Sequence, residues 1–561
     1  MRDIRIVALS FLGFFDTIVS AMTYPDSVNG PGILTTNLVC NTQASVTDRA
    51  AAIVSAFNIS EKLVDLVNTS LGSPRLGLAP YEWWSEALHG LAYSLGVDFS
   101  VNWSSATSCP NPITISAAFD NALVEAVANV ISTEARAFSN ADKAGLDFWT
   151  PNVNPYKDPR WGRGAETPGE DPFRIKGYTK SLLRGLEGDQ KFKKNTAVRY
   201  GFDAVVSMQD LIEYYLPPFQ QCASNVLVIR KSTVLREHWG YTEDNQYITS
   251  DCNAVQGFYA NRNYTTNQQQ AAGKAYTAGC DTICQVGHNI DVTGTYNQSL
   301  LSEATIYQAL RRMILGKPVI VAELGDQVDP TPLLSNPNIF AILWAGYPGQ
   351  NGGTAVLDII TWRTAPARRL PVTVKMTDMS LRPGERSKGR TYMWYNESVL
   401  PFGYGLHYTS FNTAFAPSTS SLYGQKFKIK DLIANCTEKH LDLCIFTSFP
   451  LNTTVQNMGT TKSDFVLLAF LSGSYGPEPF PIKRLAAYTR VRDIVLGEKR
   501  TAELEMTLGT LARVDEVGNT VLYPGKYEVG LDVDVMERVG FKLVDEKVAL
   551  DLWPQPKVEV L

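Results

Sequence analysis

The chain has 561 residues, of which 44% are hydrophobic and 19% are charged, and its formal net charge is -5 at pH 7. This length predicts two to four domains if each holds about 150 residues. The composition is typical of a globular protein, and the acidic balance provides no basic surface for nucleic acid. An uncharged, polyhydroxylated ligand therefore fits this chain better than a polyanion.

Residues 1–21 are predicted to form a secretory signal peptide. Arg2 and Arg5 precede an apolar run over residues 6–15, and small residues at 19–21 offer a cleavage site, although Asp16 interrupts the pattern. No later segment reaches the roughly eighteen apolar residues of a membrane span. We therefore expect a secreted, extracellular glycoprotein without a membrane partner, with N-glycosylation sequons at Asn58, Asn68, Asn102, Asn263, Asn297, Asn396, Asn435 and Asn452.

Between about residues 47 and 312, helical patterns alternate with short apolar runs. Residues 122–138 are typical of an amphipathic helix, while 204–208 and 247–249 are typical of buried strands. Such alternation predicts a parallel barrel or a doubly wound sheet.

The alternation continues to about residue 370 and then gives way to strands and turns. Residues 318–322 and 339–344 are predicted strands, and a Gly-rich turn at 349–353 is predicted to open a helix. After about residue 430, alternating apolar positions at 464–471 and a Pro-Gly turn before 526–531 predict a β-sandwich.

The segment 148–171, FWTPNVNPYKDPRWGRGAETPGED, combines aromatics, arginines, carboxylates and turn-forming residues. Loops of this length are uncommon in compact domains unless they carry function. Its composition is that of a sugar-binding site. The alternative is a surface loop held by salt bridges among Arg160, Arg163, Glu166 and Asp171.

Further candidates for chemistry follow apolar runs, because active sites of parallel barrels lie at the C-terminal ends of strands. Trp83 and Trp84 stand beside Glu86, and this suits a sugar ring whose CH face stacks on indole while its hydroxyls seek acceptors. Glu86 could equally be an ordinary exposed helix carboxylate. His89, just beyond, is more often a hydrogen-bonded structural histidine than a catalytic one.

Asp251 is the candidate nucleophile, because it follows the apolar run 247–249. A carboxylate at a strand end can attack an anomeric carbon and form a covalent glycosyl-enzyme intermediate. The alternative is a helix N-cap for the segment that starts at Asn253.

The eight cysteines predict a few local disulfides. Cys436 and Cys444 are close enough in sequence to bridge a short loop. Cys252, Cys280 and Cys284 form a second cluster, in which one bridge could fix the backbone near Asp251. Metal binding is disfavoured, because no histidine stands at ligand spacing beside these cysteines.

Five segments together resemble fungal β-xylosidases of glycoside hydrolase family 3. They are PYEWWSEALHG at 80–90, NPYKDPRWGRGAETPGEDP at 154–172, VVSMQDLIEYYLPPFQQC at 205–222, YITSDCNAVQ at 247–256 and GRTYMWYNESVLPFGYGLHYTSF at 389–411. The resemblance runs from about residue 30 to the C-terminus.

This resemblance implies a retaining exo-hydrolase that releases xylose from xylo-oligosaccharides or aryl-xylosides and needs no cofactor. Asp251 matches the nucleophile of the family, Glu86 a carboxylate on the terminal sugar and Arg163 an arginine on the same ring. Glu rather than Asp at position 86 resembles the xylosidase branch. Cys252 resembles the half-cystine beside the nucleophile, with Cys284 as its implied partner.

The implied fold is an α/β multidomain one. Its parts would be a signal peptide at 1–21, a (β/α)8-like barrel at 22–313, a truncated α/β sandwich domain at 314–425 and a fibronectin type III-like β-sandwich at 426–561.

The chain departs from the family at three junctions, namely 193–204, 222–232 and 312–318. A Lys-His pair that binds sugar is missing at the first, and the segment holding the acid/base glutamate is missing at the third. Glu323 and Asp326 follow a predicted strand, but the family motif does not place the acid/base there, so that role stays unassigned. An incomplete barrel is therefore expected.

Two explanations of the gaps remain open, a gene model with mis-spliced exons and a genuine shortened paralogue. The alternatives to xylosidase activity are an α-L-arabinofuranosidase, a β-glucosidase and a secreted sugar-binding pseudoenzyme that lacks the acid/base.

Overall fold

The structure is a computed structural model. It describes residues 38–41, 43–100, 105–158, 161–187, 208–224, 250, 254–260, 264–284, 290–315, 343–373, 391–395, 398–438, 440–534 and 537–554. Asp251, Cys252, Arg160 and most of the three junction segments lie outside these residues. Within them, no helix is both long and apolar enough to cross a membrane.

Fifteen α-helical segments lie in the described residues, and several are only one turn long. They are α1 Val46–Ala56, α2 Ile59–Val64, α3 Pro112–Ser116, α4 Asn121–Asn140, α5 Pro172–Glu187, α6 Met208–Asp210, α7 Leu216–Ser224, α8 Gly257–Ala260, α9 Gln268–Thr277, α10 Val292–Asn297, α11 Glu303–Leu315, α12 Gly352–Ile360, α13 Pro417–Ser420, α14 Ile429–Ala434 and α15 Leu508–Leu511. A π-helical turn, Leu211–Tyr215, joins α6 to α7.

Most strands belong to the C-terminal part. The described strands are β1 Thr69–Ser70, β2 Tyr81–Glu82, β3 Phe411–Phe415, β4 Lys426–Lys428, β5 Leu451–Asn457, β6 Ser463–Tyr475, β7 Arg484–Ile494, β8 Lys499–Leu504, β9 Arg513–Val514, β10 Thr520–Leu522, β11 Gly525–Leu531, β12 Arg538–Val544 and β13 Val548–Asp551.

The long helix α4 confirms the helix predicted over residues 122–138. Asp120 caps its first turn by accepting a hydrogen bond from the Leu123 backbone N–H at 3.1 Å. The buried positions recur every three or four residues and pack against α5. They are Val124, Ala128, Ile131 and Ala135.

In the first half of the chain, backbone hydrogen bonds join five short segments in the order 250, 282–284, 66–68, 83–85 and 147–149. The pairings of Val67 with Ile283 and of Ser85 with Phe148 are parallel, as expected for part of a barrel sheet. The hydrogen bonds run from Ser250 N to Thr282 O, Ile283 N to Leu66 O, Trp83 N to Asn68 O, Ser85 N to Asp147 O and Trp149 N to Ser85 O, at 2.8–3.1 Å. These segments place Ser250, the residue before Asp251, and Ser85, the residue before Glu86, in one set of paired segments.

Other sequence predictions met mixed outcomes. The Gly-rich turn at 349–353 opens α12, as predicted. Met208, predicted to end a strand, instead begins α6, because residues 208–224 continue as helical turns that bury Tyr214. Leu343 and Trp344, predicted to end a strand, have no regular structure. The predicted strands at 204–207, 247–249 and 318–322 lie outside the described residues.

The C-terminal β-sandwich is confirmed, with β6 covering 464–471 and β11 covering 526–531. One sheet has the order β4-β12-β11-β6-β7, a second has β3-β5-β8, and β13-β10-β9 form a third. Inward residues of these sheets share one apolar core, which includes Leu451, Leu467 and Phe541. The predicted disulfide Cys436–Cys444 is present. The α/β multidomain class is therefore correct, while the predicted domain boundaries and the fibronectin type III-like assignment stay predictions.

The buried carboxyl group of Asp171 connects segment 148–171, through hydrogen bonds, to Tyr392 and to strand β7. Asp171 accepts hydrogen bonds from the Tyr392 hydroxyl and from the Arg174 backbone N–H, each at 2.7 Å. The Tyr392 hydroxyl in turn accepts from the Leu485 backbone N–H in β7 at 2.7 Å. Burial raises the pKa of Asp171 to about 6, and the hydrogen bond from Tyr392 and the nearby charges of Arg484 and Arg174 offset this only in part.

The raised pKa predicts that the protein loses stability as the pH rises from about 4 to about 7. Because the folded state holds the Asp171 proton more tightly than the unfolded state, this group favours folding least above pH 6. The expected loss from this group is roughly 3 kcal/mol. Urea unfolding at several pH values should therefore show a shallower pH dependence for Asp171→Asn. An unchanged pH dependence in that variant would contradict the assignment.

Candidate active site

Glu86 lies directly after the segment 83–85 and does not lie on a helix. It pairs with Ala92 in an isolated bridge and is half-buried, so the exposed helix carboxylate interpretation is wrong. The Trp84 indole N–H donates to Glu86 Oε1 at 2.9 Å, and the Ser94 hydroxyl oxygen accepts from the Glu86 backbone N–H at 3.2 Å. These bonds hold the carboxylate beside an aromatic ring.

Two indoles form an apolar wall next to this carboxylate, in which Trp84 is half-buried and Trp149 is only 2% exposed. The rings of Trp84 and Trp149 lie 6.1 Å apart between centroids, at an interplanar angle of 41°. The indole N–H of Trp149 donates to the Trp83 backbone carbonyl at 2.8 Å, which fixes the ring. Cys284 is buried against Trp149. A carboxylate at the edge of an aromatic wall suits a ligand with one apolar and one hydroxyl-bearing face.

Contacts connect this wall to the residue before the predicted nucleophile. The Ser250 hydroxyl oxygen accepts from the Cys284 backbone N–H at 3.0 Å, and Cys284 packs on Trp149. Asp251 itself lies outside the described residues, so its role stays a prediction. The chain of contacts from Ser250 through Cys284 and Trp149 to Trp84 nevertheless ends at Glu86.

The loop 148–171 is largely buried, which corrects the surface-loop alternative. All residues from 164 to 172 are buried, and a Cβ on Gly164 would lie 2.0 Å from the Tyr156 ring. Only glycine allows this close approach. The loop therefore packs inside the protein rather than on its surface.

Arg163 lies in this loop and pairs with Glu166. Arg163 Nη2 lies 3.3 Å from Glu166 Oε2, with the two side chains 12% and 0% exposed. The Asn152 amide approaches the same carboxylate oxygen at 3.5 Å. Part of the salt-bridge alternative is therefore correct, since this pair exists, but it is buried.

Glu166 is a fully buried partner of Arg163, whereas its sequence context predicted only a surface ion pair. The sequence does contain an indication of this pair, because an arginine and a glutamate stand three residues apart within a Gly-rich loop. A buried carboxylate is stable only with partners, and here it fixes the guanidinium of Arg163. Glu166 thus positions the arginine that the family resemblance places on the sugar ring.

The structure decides part of the interpretation of the cysteine cluster and of His89. Cys284 is in a disulfide, whereas Cys280 is not, and the Cys280 thiol donates to the Thr282 backbone carbonyl at 3.1 Å. The pairing of Cys284 with Cys252 stays a prediction, because Cys252 lies outside the described residues. His89 Nδ1 lies 3.1 Å from the Cys109 carbonyl oxygen, which agrees with the structural interpretation.

A double-mutant cycle on Arg163 and Glu166 tests this buried pair. We expect Glu166→Gln to lower the free energy of unfolding by about 3 kcal/mol, because it removes the buried carboxylate charge that faces the Arg163 guanidinium. The double variant with Arg163→Met should cost at least about 1 kcal/mol less than the sum of the single changes. Additive losses in urea unfolding would show that the two side chains do not act as a pair.

The comparisons with known proteins agree with this geometry. Residues 213–408 match the glycosyl hydrolase family 3 C-terminal domain. A probable exo-1,4-β-xylosidase of Aspergillus fumigatus is 33% identical over 751 aligned positions, which span 96% of each chain. An exo-1,4-β-xylosidase of Emericella nidulans is 32% identical over 743 positions, spanning 95% of this chain and 96% of its own. A solved family 3 exo-β-xylosidase in complex with a xylobiose aziridine probe aligns with a TM-score of 0.86 and 26% identity, covering 96% of each chain.

These alignments also show that the chain lacks internal segments that its relatives contain. The 751 aligned positions exceed the 561 residues of the chain by 190, so at least that many positions are gaps in this chain. With matches at both ends and gaps within, the chain belongs to glycoside hydrolase family 3, alongside the fungal exo-1,4-β-xylosidases.

Proposed function

We propose that the protein is an exo-1,4-β-xylosidase that releases xylose from the non-reducing ends of xylo-oligosaccharides during xylan degradation. The observation that carries this proposal is the Glu86 carboxylate held by Trp84 beside Trp149, linked through Cys284 to Ser250. The names of the fungal relatives support the same substrate.

In this proposal the protein contacts both the CH face of the sugar and its hydroxyl groups. The CH face of the terminal xylose packs on Trp84, which the buried Trp149 supports, while Glu86 accepts hydrogen bonds from ring hydroxyls. The Trp84 N–H restricts the rotation of the Glu86 carboxylate, so less entropy is lost on binding. Arg163, fixed by Glu166, donates to hydroxyls of the same ring.

The proposed reaction is retaining, with Asp251 as nucleophile. Its carboxylate attacks the anomeric carbon, a carboxylate–sugar ester forms, and the glycosidic oxygen leaves with the electron pair of the broken bond. A water molecule then attacks the anomeric carbon, which releases xylose and restores the carboxylate. The leaving oxygen needs a proton, and no acid/base residue is assigned in this chain.

The identity of the leaving group should therefore control the rate. Dinitrophenolate is a good leaving group without protonation, whereas the sugar alkoxide from xylobiose needs a proton to leave. Losing general-acid assistance typically lowers the rate by about 10² to 10⁴. We expect measurable hydrolysis of 2,4-dinitrophenyl β-xyloside and turnover of xylobiose slower by about that factor. Comparable rates would reveal an acid/base within this chain.

Two controls separate the competing functions. Asp251→Ala should abolish turnover of both substrates, since both need the nucleophile. Aryl arabinofuranosides and aryl glucosides serve as substrates for the alternative activities, and a faster rate on either than on the xyloside would overturn the assigned sugar.

A sugar-binding pseudoenzyme is the second candidate, and the 190 or more gap positions favour it. Loss of the acid/base segment would remove catalysis while the Glu86 wall and the Arg163–Glu166 pair persist. Binding of xylobiose in calorimetry without turnover of the activated xyloside would support this candidate over the enzyme.

We also propose that the protein is secreted and carries N-glycans. Asn297 and Asn435 are exposed and can accept a glycan, whereas Asn68 is fully buried and donates to Glu82 Oε1 at 2.9 Å. Peptide mapping of protein secreted from a fungal host should find glycan at the first two and none at Asn68. A glycan at Asn68 would contradict this part of the proposal.

For the C-terminal part we propose a fibronectin type III-like domain. The strand order supports this, because β3-β5-β8 form one sheet while β12-β11-β6-β7 lie side by side in the other, around one core. An independently determined experimental structure with a different strand order would overturn it.

A further inference from the structure

An exposed aromatic pair lies at the C-terminal end of α12. The Trp362 side chain is 65% exposed, and its ring stacks on Tyr408 with centroids 4.1 Å apart and an interplanar angle of 15°. The Tyr408 hydroxyl donates to the Ile359 backbone carbonyl at 2.7 Å, which anchors the lower ring to the helix. One face of the indole is thus supported by Tyr408, while the other is open to solvent.

The demands of folding do not account for a tryptophan at this position. Trp362 has a φ of 61°, a left-handed conformation that costs an L-residue roughly 1–2 kcal/mol and that glycine adopts freely. The side chain also leaves most of its apolar surface in water, so it contributes little to the core. A function of the exposed indole face would explain why tryptophan occupies a position that suits glycine.

Polar groups border the exposed indole within one helical turn. Arg363 Nη1 lies 3.4 Å from Asp358 Oδ1, and the two side chains are 67% and 33% exposed. The pair has no net charge, so it supplies hydrogen-bond donors and acceptors without attracting a polyanion. A flat aromatic face with a neutral polar border matches a pyranose ring, which has a CH face and equatorial hydroxyls.

We propose that Trp362, supported by Tyr408, forms a surface platform that binds the pyranose rings of a polymeric β-1,4-linked xylan chain and that shares no residue with the candidate active site. The platform goes beyond the proposed hydrolysis, because it increases retention on the polymer and takes no part in bond cleavage. Arg363 and Asp358 contact the hydroxyls of the stacked ring.

Leu357 and Ile360 offer a competing explanation. They lie on the same helix and are 50% and 61% exposed, so a second copy of the chain could instead cover this face. The neutral polar border and the single flat ring favour the sugar, and the oligomeric state distinguishes the two occupants.

The test is affinity electrophoresis of the full chain in gels that contain soluble arabinoxylan or, as a second arm, hydroxyethyl cellulose. We expect the wild type to be retarded by arabinoxylan, and Trp362→Gly to bind about five- to tenfold more weakly. Glycine suits the positive φ, so this variant should fold, which circular dichroism and an unchanged rate on the activated xyloside would verify. Tyr423→Ala, which removes another exposed aromatic side chain, is the matched control and should bind as the wild type does.

Three outcomes would overturn the proposal. They are a wild type that arabinoxylan does not retard, a Trp362→Gly variant that is retarded equally, and a loss of retention that accompanies a change from dimer to monomer in light scattering. Stronger retardation by hydroxyethyl cellulose would assign the platform to glucan instead and contradict the xylan assignment. Failure of the proposed hydrolysis would appear separately, as absent xyloside turnover with retention intact.

Discussion

The structure depends on the burial of three carboxyl groups within six residues of one loop. Glu166, Glu170 and Asp171 are each at most 1% exposed, and charges removed from water persist only when they are paired or hydrogen-bonded. Glu166 meets Arg163, Glu170 accepts from the Thr373 hydroxyl and the Tyr392 backbone N–H, and Asp171 accepts from the Tyr392 hydroxyl. The partners come from the loop itself and from the segment that precedes the sandwich.

This loop and the helix that follows it also contact other parts of the chain. Arg174, one turn after Asp171, is fully buried and donates to Asn121 on α4 and to Tyr488 on β7, each at 3.0 Å. These hydrogen bonds persist in a chain that lacks at least 190 positions present in its relative from Aspergillus fumigatus. The loop and the start of α5 are therefore held by later parts of the chain.

Periodicity in the sequence was enough to predict the elements that bury one face. The helix α4 follows from a spacing of 3.6, β11 from a spacing of 2, and the Gly-rich start of α12 from turn chemistry. The strand β6 was also predicted from alternation, but residues 465–471 are all buried, so it buries both faces. The burial of segment 148–171 could not be predicted, because its polar composition also suits a surface loop and only tertiary partners such as Tyr392 and Tyr156 decide between them. The prediction that a strand ends at Met208 was wrong for a related reason. A short apolar run does not distinguish a strand from a buried helical turn. Glu86 was predicted from its neighbouring tryptophans and from the family resemblance, and Arg163 from the resemblance, whereas the burial of Glu166 against Arg163 required the structure.

The central claim is that the wall formed by Glu86, Trp84 and Trp149 presents a xylose ring to Asp251. Labelling with a xylose-configured cyclitol aziridine, followed by peptide mass spectrometry, tests this most directly, because the probe esterifies the carboxylate that attacks the anomeric carbon. A single label on the peptide that contains Asp251, weakened by Trp84→Ala and prevented by excess xylobiose, is the predicted result. No label, or a label on a different carboxylate, would contradict the account.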